Sequence, residues 1–180
     1  MDGPQAQQHT NSWWYRPDAE HDIGSHKGVV IHLLAEHTID ISCPADAAYR
    51  YASNLEHFGE WFPGVIAIES ANGLAIAEPG KEYLETVAIP LRGTRKVKLT
   101  VKEAEHNKLF VTEGTLAPLL PRMEILFQSS GSRSCQVTWR MYSRNEGMLA
   151  GFTVIPLARG IMRKRAAMGV ARLKERLETK

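Results

Sequence analysis

The feature that most constrains this chain is a change of period. From Val65 to Ser143, six segments (65–70, 81–89, 95–104, 109–115, 122–128 and 135–143) read as strands, and a seventh runs from Val29 to Ile41. The clearest is the third of the six, where Val97, Leu99 and Val101 alternate with Lys96, Lys98, Thr100 and Lys102, as in a half-buried strand. Past Pro156 the spacing changes. Met162, Ala166, Val170, Leu173 and Leu177 recur at steps of 4, 4, 3 and 4, the stripe of one long amphipathic helix. Between strands one and two, Ala45 to Asn54 and Leu55 to Val65 predict two short helices, the second stopped at Pro63-Gly64 because the residue before proline is pushed out of helical conformation. The other breaks carry turn chemistry at Asn72-Gly73, Pro79-Gly80, Arg92-Gly93, His106-Asn107 and Ser130-Gly131, and connections this short join antiparallel neighbours.

These elements specify an α+β fold of seven antiparallel strands and one terminal helix. A helix about 10 Å wide cannot cover seven strands spaced by about 4.8 Å, so the sheet must curl around it. A hollow between sheet and helix is the expected result.

Composition adds exclusions. At 180 residues the chain fits one domain. With 43% hydrophobic and 23% charged residues it belongs with folded globular proteins. A formal net charge of +2 is too small for a nucleic-acid binder that works by neutralising phosphates. Residues 1–27 show no period and carry two bases against four acids, so they read as a flexible leader ahead of a domain at 28–180. Trp13, Trp14 and Tyr15 interrupt that leader and could dock on the domain or a second copy. The first fifteen residues lack a basic cluster followed by an apolar run, and no stretch approaches the ~20 apolar residues of a membrane span. With only Cys43 and Cys135, reduced thiols and a cytoplasmic location are expected. No Gly-x-Gly-x-x-Gly, phosphate-loop, Gly-x-Ser-x-Gly or His-Glu-x-x-His pattern occurs, so neither a nucleotide cofactor nor a metal is expected.

The order of elements, the stretch from Tyr51 through Asn54, Phe58, Trp61 and Pro63-Gly64 to Val65, the Pro79-Gly80 turn, and the closing Arg163-Lys164-Arg165 to Leu177 resemble the START-like, or SRPBCC, helix-grip superfamily over residues 37–178. Within it the chain is most similar to proteins labelled polyketide cyclase/dehydratase. The resemblance implies an internal pocket for a hydrophobic small molecule, used for catalysis in some members and for transport or sensing in others. It carries no universal catalytic motif.

Strand parity therefore nominates the site. Glu85 shares a face with Tyr83, Val87 and Ile89, and a carboxyl facing an apolar interior has a raised pKa, as a general acid or base requires. Tyr83 beside it could polarise a carbonyl. His37 lies among Ala35, Ile39 and Ile41, where a neutral imidazole could move protons. Trp61, Val87, Glu113, Phe127, Trp139, Met141 and Met162 are candidate pocket walls, with core packing the competing role for Trp139, and for Trp61 that of fixing the second short helix as a lid beside the cavity mouth. The expected function is proton-transfer cyclisation or dehydration of a polyketide-like or aromatic substrate. The alternative is a non-catalytic carrier of a lipid or isoprenoid quinone. Residues 156–180 hold eight bases and two acids; this is either a solvated helix face or a contact for an acyl carrier protein or an anionic membrane surface. A homodimer is compatible with the sequence.

Overall fold

A computed structural model describes residues 31–89, 93–145, 147 and 154–179. The leader at 1–27 with its Trp13-Trp14-Tyr15 cluster, the start of the first strand at Val29 and the Arg92 half of one turn lie outside the described residues. Seven strands appear: β1 (His32–Ile41), β2 (Val65–Ser70), β3 (Glu82–Ile89), β4 (Gly93–Glu105), β5 (Leu109–Gly114), β6 (Pro121–Gly131) and β7 (Ser134–Ser143). Helix α1 (Ala45–Ser53), a 3-10 turn (Leu55–His57) and α2 (Phe58–Trp61) separate β1 from β2, and the long helix α3 (Val154–Glu178) closes the chain. The strands form one antiparallel sheet in the order β1-β7-β6-β5-β4-β3-β2. The predicted boundaries fall within a few residues of these.

The order places β1 and β2 at opposite edges, and α3 joins the two sides. At the β1 edge, Arg159 Nε donates to the Leu33 carbonyl at 3.0 Å and Lys174 Nζ to the Asp40 carbonyl at 2.7 Å, while Glu178 Oε1 accepts from the Ser42 amide at 2.7 Å. Toward the other edge, Arg165 Nη2 donates to the Ala88 carbonyl of β3 at 3.2 Å. The helix is thus clamped across the curl of the sheet.

Its stripe behaves as the spacing requires. Ala166, Gly169, Val170 and Leu173 are buried, and Met162 and Leu177 pack at the margins of the core. Beneath them lies a ladder of aromatic rings: Phe58 stacks on Phe62 with centroids 4.9 Å apart, and Phe62 stacks on Trp139 at 4.8 Å. Trp61 is fully buried and meets Phe58 edge-on at 4.9 Å. The side of Phe62 approaches the helix so closely that a Cβ on Gly169 would lie 2.9 Å from Phe62 Cδ2. Glycine at 169 therefore sets the distance between α3 and the aromatic layer.

Two glycines of α3 separate packing from helix propensity. Replacing Gly with Ala in a helix interior ordinarily gains up to about 1 kcal/mol, and a methyl group added at Gly160 would meet nothing within 4 Å. Gly160→Ala is expected to raise stability by several tenths of a kcal/mol or more. Gly169→Ala is expected to lower it by about 1 kcal/mol, because displacing a stacked ring costs more than the propensity returns. Denaturant unfolding of the two variants checks the opposed signs.

Candidate functional site

The curl leaves a cavity of about 610 Å³ between sheet and helix, within the range of ligand sites. The half of α3 before Ala166 roofs it with Val154, Leu157, Ala158, Ile161, Met162 and Arg165, whose spacing of three and four puts them on one helical face. Phe58, Phe62, Pro63 and Val65 line the side formed by α2 and the start of β2. From the sheet come Val87, Leu99, Thr112, Met123 and Met141, and the segment from Leu116 to Leu119 supplies a further wall.

Among the described residues, three ionisable side chains line this space: Glu85, Arg95 and Arg165. Glu85 sits on β3 opposite Ile68 of β2 and Val97 of β4, between apolar neighbours on both sides, and is only 7% exposed. Burial pushes its carboxyl up to about 7, against a weaker downward pull from the charge of Arg165. Burial in turn lowers Arg165, which Glu85 partly offsets. The two stand close enough to feel each other's charge without closing into a direct ion pair.

Arg165 is held by backbone. Besides its bond to the Ala88 carbonyl, its guanidinium lies flat against Gly64, where a Cβ would come within 2.6 Å of Cζ. Gly64 also has φ of 95°, a conformation that favours glycine. The Pro63-Gly64 break thus ends one helix and makes room for a cation contributed by another, 101 positions later.

The nominated residues divide. Glu85, Val87, Met141 and Met162 line the cavity. Tyr83 is fully buried next to Glu85 on the same face, but it lies beyond the cavity wall. Its hydroxyl has no hydrogen-bond partner among the described residues, and the Lys81 ammonium lies 5.5 Å from its ring centroid. Trp61, Phe127 and Trp139 are core rather than wall, because α2 folds onto the sheet and the aromatic ladder fills that end. His37 is exposed. It pairs in register with Trp139, yet β1 is an edge strand, bulged between Leu33 and Ala35, and the imidazole does not reach the cavity. Glu113 is on the outer side of β5, since Thr112 and Gly114 take the inward parity; it ion-pairs there with Arg122 and Arg144, each at 3.1 Å.

Arg165 is the cavity residue that the sequence conceals, within a run of three bases. A signal for it exists all the same. Position 165 follows 154, 158 and 161 in steps of four, three and four, so it continues an apolar face that precedes the core stripe. The wall from Leu116 to Leu119 has no period to reveal it.

The raised carboxyl has a consequence for stability. With a folded value of about 7 against an ordinary 4.5, Glu85 costs nothing while protonated in both states. Its destabilising contribution grows as pH rises from about 4.5 to 7 and is complete above that, at roughly 3 kcal/mol. Glu85→Gln is therefore expected to unfold at higher denaturant than the parent at pH 8, with an advantage smaller by roughly 2 kcal/mol at pH 5. Equal differences at both pH values would contradict the burial of this carboxyl.

The fold is that of the START-like, helix-grip superfamily. It is similar to a START superfamily protein from Mycobacterium smegmatis, at 15% identity and a TM-score of 0.64, covering 82% of this chain and 98% of that one. It is also similar to the Zhui aromatase/cyclase from a Streptomyces, at 12% identity and a TM-score of 0.59, covering 83% and 93%. The di-domain ARO/CYC StfQ from the steffimycin biosynthetic pathway aligns at 13% identity and a TM-score of 0.57 over 80% of this chain, which spans 44% of StfQ. At these identities the likeness is one of fold. No curated protein matches the chain in sequence. Residues 32–178 match the family described as polyketide cyclase / dehydrase and lipid transport, and the chain belongs to that family.

Proposed function

We propose that the cavity binds a hydrophobic polyketide-like or aromatic molecule and that Glu85 catalyses its cyclisation or dehydration by proton transfer. The observation that carries this reading is one carboxyl, titrating near neutrality, set in a largely apolar cavity that Arg165 and Arg95 also line. Family membership supports the reaction class.

In a dehydration, ionised Glu85 takes the proton α to a carbonyl, and the charge that moves to the carbonyl oxygen is met by Arg165. The enolate collapses, forming the carbon–carbon double bond as the β-hydroxyl leaves. Glu85 returns the same proton to that hydroxyl, releasing water and restoring the carboxylate. In a ring closure, the enolate carbon instead attacks a second carbonyl, whose oxygen takes the proton from Glu85. A pKa near the working pH lets one carboxyl serve as base and then as acid. The apolar walls hold a flexible chain in a folded geometry, so that closure becomes effectively unimolecular. Tyr83, outside the cavity, has no step in this scheme, and neither has His37.

Glu85→Gln is expected to lower kcat on a β-hydroxy ketone with an aromatic body by roughly 10²- to 10⁴-fold, with the binding constant little changed. The parent's kcat/KM should rise with pH through a single limb near 7. Undiminished turnover in the variant removes Glu85 from the chemistry. Failure of parent and variant alike to turn over such substrates, with a lipid retained on the purified protein in native mass spectrometry, supports the carrier reading instead.

A further inference from the structure

The cavity is more selective than its apolar walls suggest. A guanidinium cannot be neutralised by losing its proton, and one directed at an apolar space carries an uncompensated charge unless something of opposite sign meets it. Arg165 uses one donor on the Ala88 carbonyl, which is neutral. Arg165 also lines the cavity, where the charged side chains among the described residues are Glu85 and Arg95. Arg95 is exposed and of the same sign. On the strands flanking Glu85, the residues paired with it are Ile68 and Val97; Arg95, paired with Val87 two positions further along β3, is the charge that β4 adds on this face. Among the described residues, Glu85 is thus the one protein group able to answer Arg165 from within the cavity, and it does so only when ionised.

We infer that the ligand carries an acidic oxygen, a carboxylate or a phenolate, that sits on the Arg165 guanidinium, and that its binding is coupled to protonation of Glu85. The assignment rests on the cavity being the ligand site, as proposed above, and adds the charge of a ligand that holds Glu85 protonated, the state in which Glu85 serves as acid and not as base. With Glu85 protonated, Arg165 has no counter-ion among the described residues, and the carboxylic acid can donate a hydrogen bond to the same ligand oxygen. With Glu85 ionised, its charge repels a ligand anion and competes for Arg165. An anion entering at neutral pH therefore brings about half a proton with it, taken from buffer, and nearly one at about pH 8. The placement of Gly64 against the guanidinium, where any larger residue would collide with it, keeps Arg165 turned to this position. The near-neutral titration of Glu85 puts the coupling in an accessible range of pH.

The test compares naphthoate, ionised throughout the range used, with neutral naphthylmethanol, by calorimetry on the full chain between about pH 6 and 8. The parent should bind naphthoate more tightly than naphthylmethanol at the lower pH and lose about tenfold in naphthoate affinity by the upper. Heats in buffers of different ionisation enthalpy should report uptake of nearly one proton at the upper pH. Naphthylmethanol binding should be flat across the range. Glu85→Gln should bind naphthoate with little pH dependence. Arg165→Gln should lose the preference for the acid while keeping the alcohol, and Arg165→Lys should retain part of it. The parent's pH profile needs no variant, so misfolding of any substitution leaves the inference testable.

Equal affinity of the parent for acid and alcohol, or naphthoate binding that does not change with pH, overturns the inference while the cavity reading stands. Binding of neither probe overturns both. Loss of turnover in Glu85→Gln with pH-independent naphthoate binding separates them the other way, leaving the catalytic reading and removing the coupling.

Discussion

One helix has to close a sheet it is too narrow to cover. Seven strands at about 4.8 Å span roughly 29 Å across, and a helix occupies about 10 Å of that. The fold meets this constraint unevenly along α3. In the half after Arg165, small residues at 166 and 169 let the helix settle onto Phe62 and the aromatic ladder. In the half before it, larger side chains and the segment from Leu116 to Leu119 stand around an unfilled volume. The clamps at Leu33, Asp40, Ser42 and Ala88 keep the helix from sliding to one edge, where it would close the cavity on one side and expose core on the other.

Electrostatics at the site follow from the same unevenness. A carboxyl on the inward face of β3 would be solvated if the sheet were open and paired if the space were filled. Between those limits Glu85 is buried and has no direct ion-pair partner among the described residues, so its proton is held to near neutrality. Arg165 marks the boundary between the two halves of α3. It has backbone on one side and the cavity on the other, which is why it modulates Glu85 without capturing it.

Much of this was legible in the residues. The period-two segments and their turn dipeptides located all seven strands, and the four-four-three-four stripe located the helix face that forms the core. The need for a hollow followed from counting strands against helices. Glu85, Val87, Met141 and Met162 reached the cavity because parity holds on unbulged central strands and along a regular helix. Parity failed where a strand is an edge, as at His37, and where two apolar neighbours in β5 made the inward face ambiguous, as at Glu113. Aromatic residues were the hardest to place. Trp61, Phe127 and Trp139 suit a core and a pocket equally in chemical terms, and what separates them here is how deeply α2 folds onto the sheet, which no local pattern encodes. Arg165 was hidden by its neighbours Arg163 and Lys164, whose exposed charges make the run look like a solvated surface.

The division of α3 has an evolutionary corollary. Val154, Leu157, Ala158, Ile161 and Met162 shape what the interior can hold, whereas Ala166, Gly169, Val170 and Leu173 seat the helix on the core, and the two sets lie on successive turns. Drift in the first set can reshape guest preference while the second stays fixed, so relatives built this way are free to diversify in what they accommodate at small risk to their integrity.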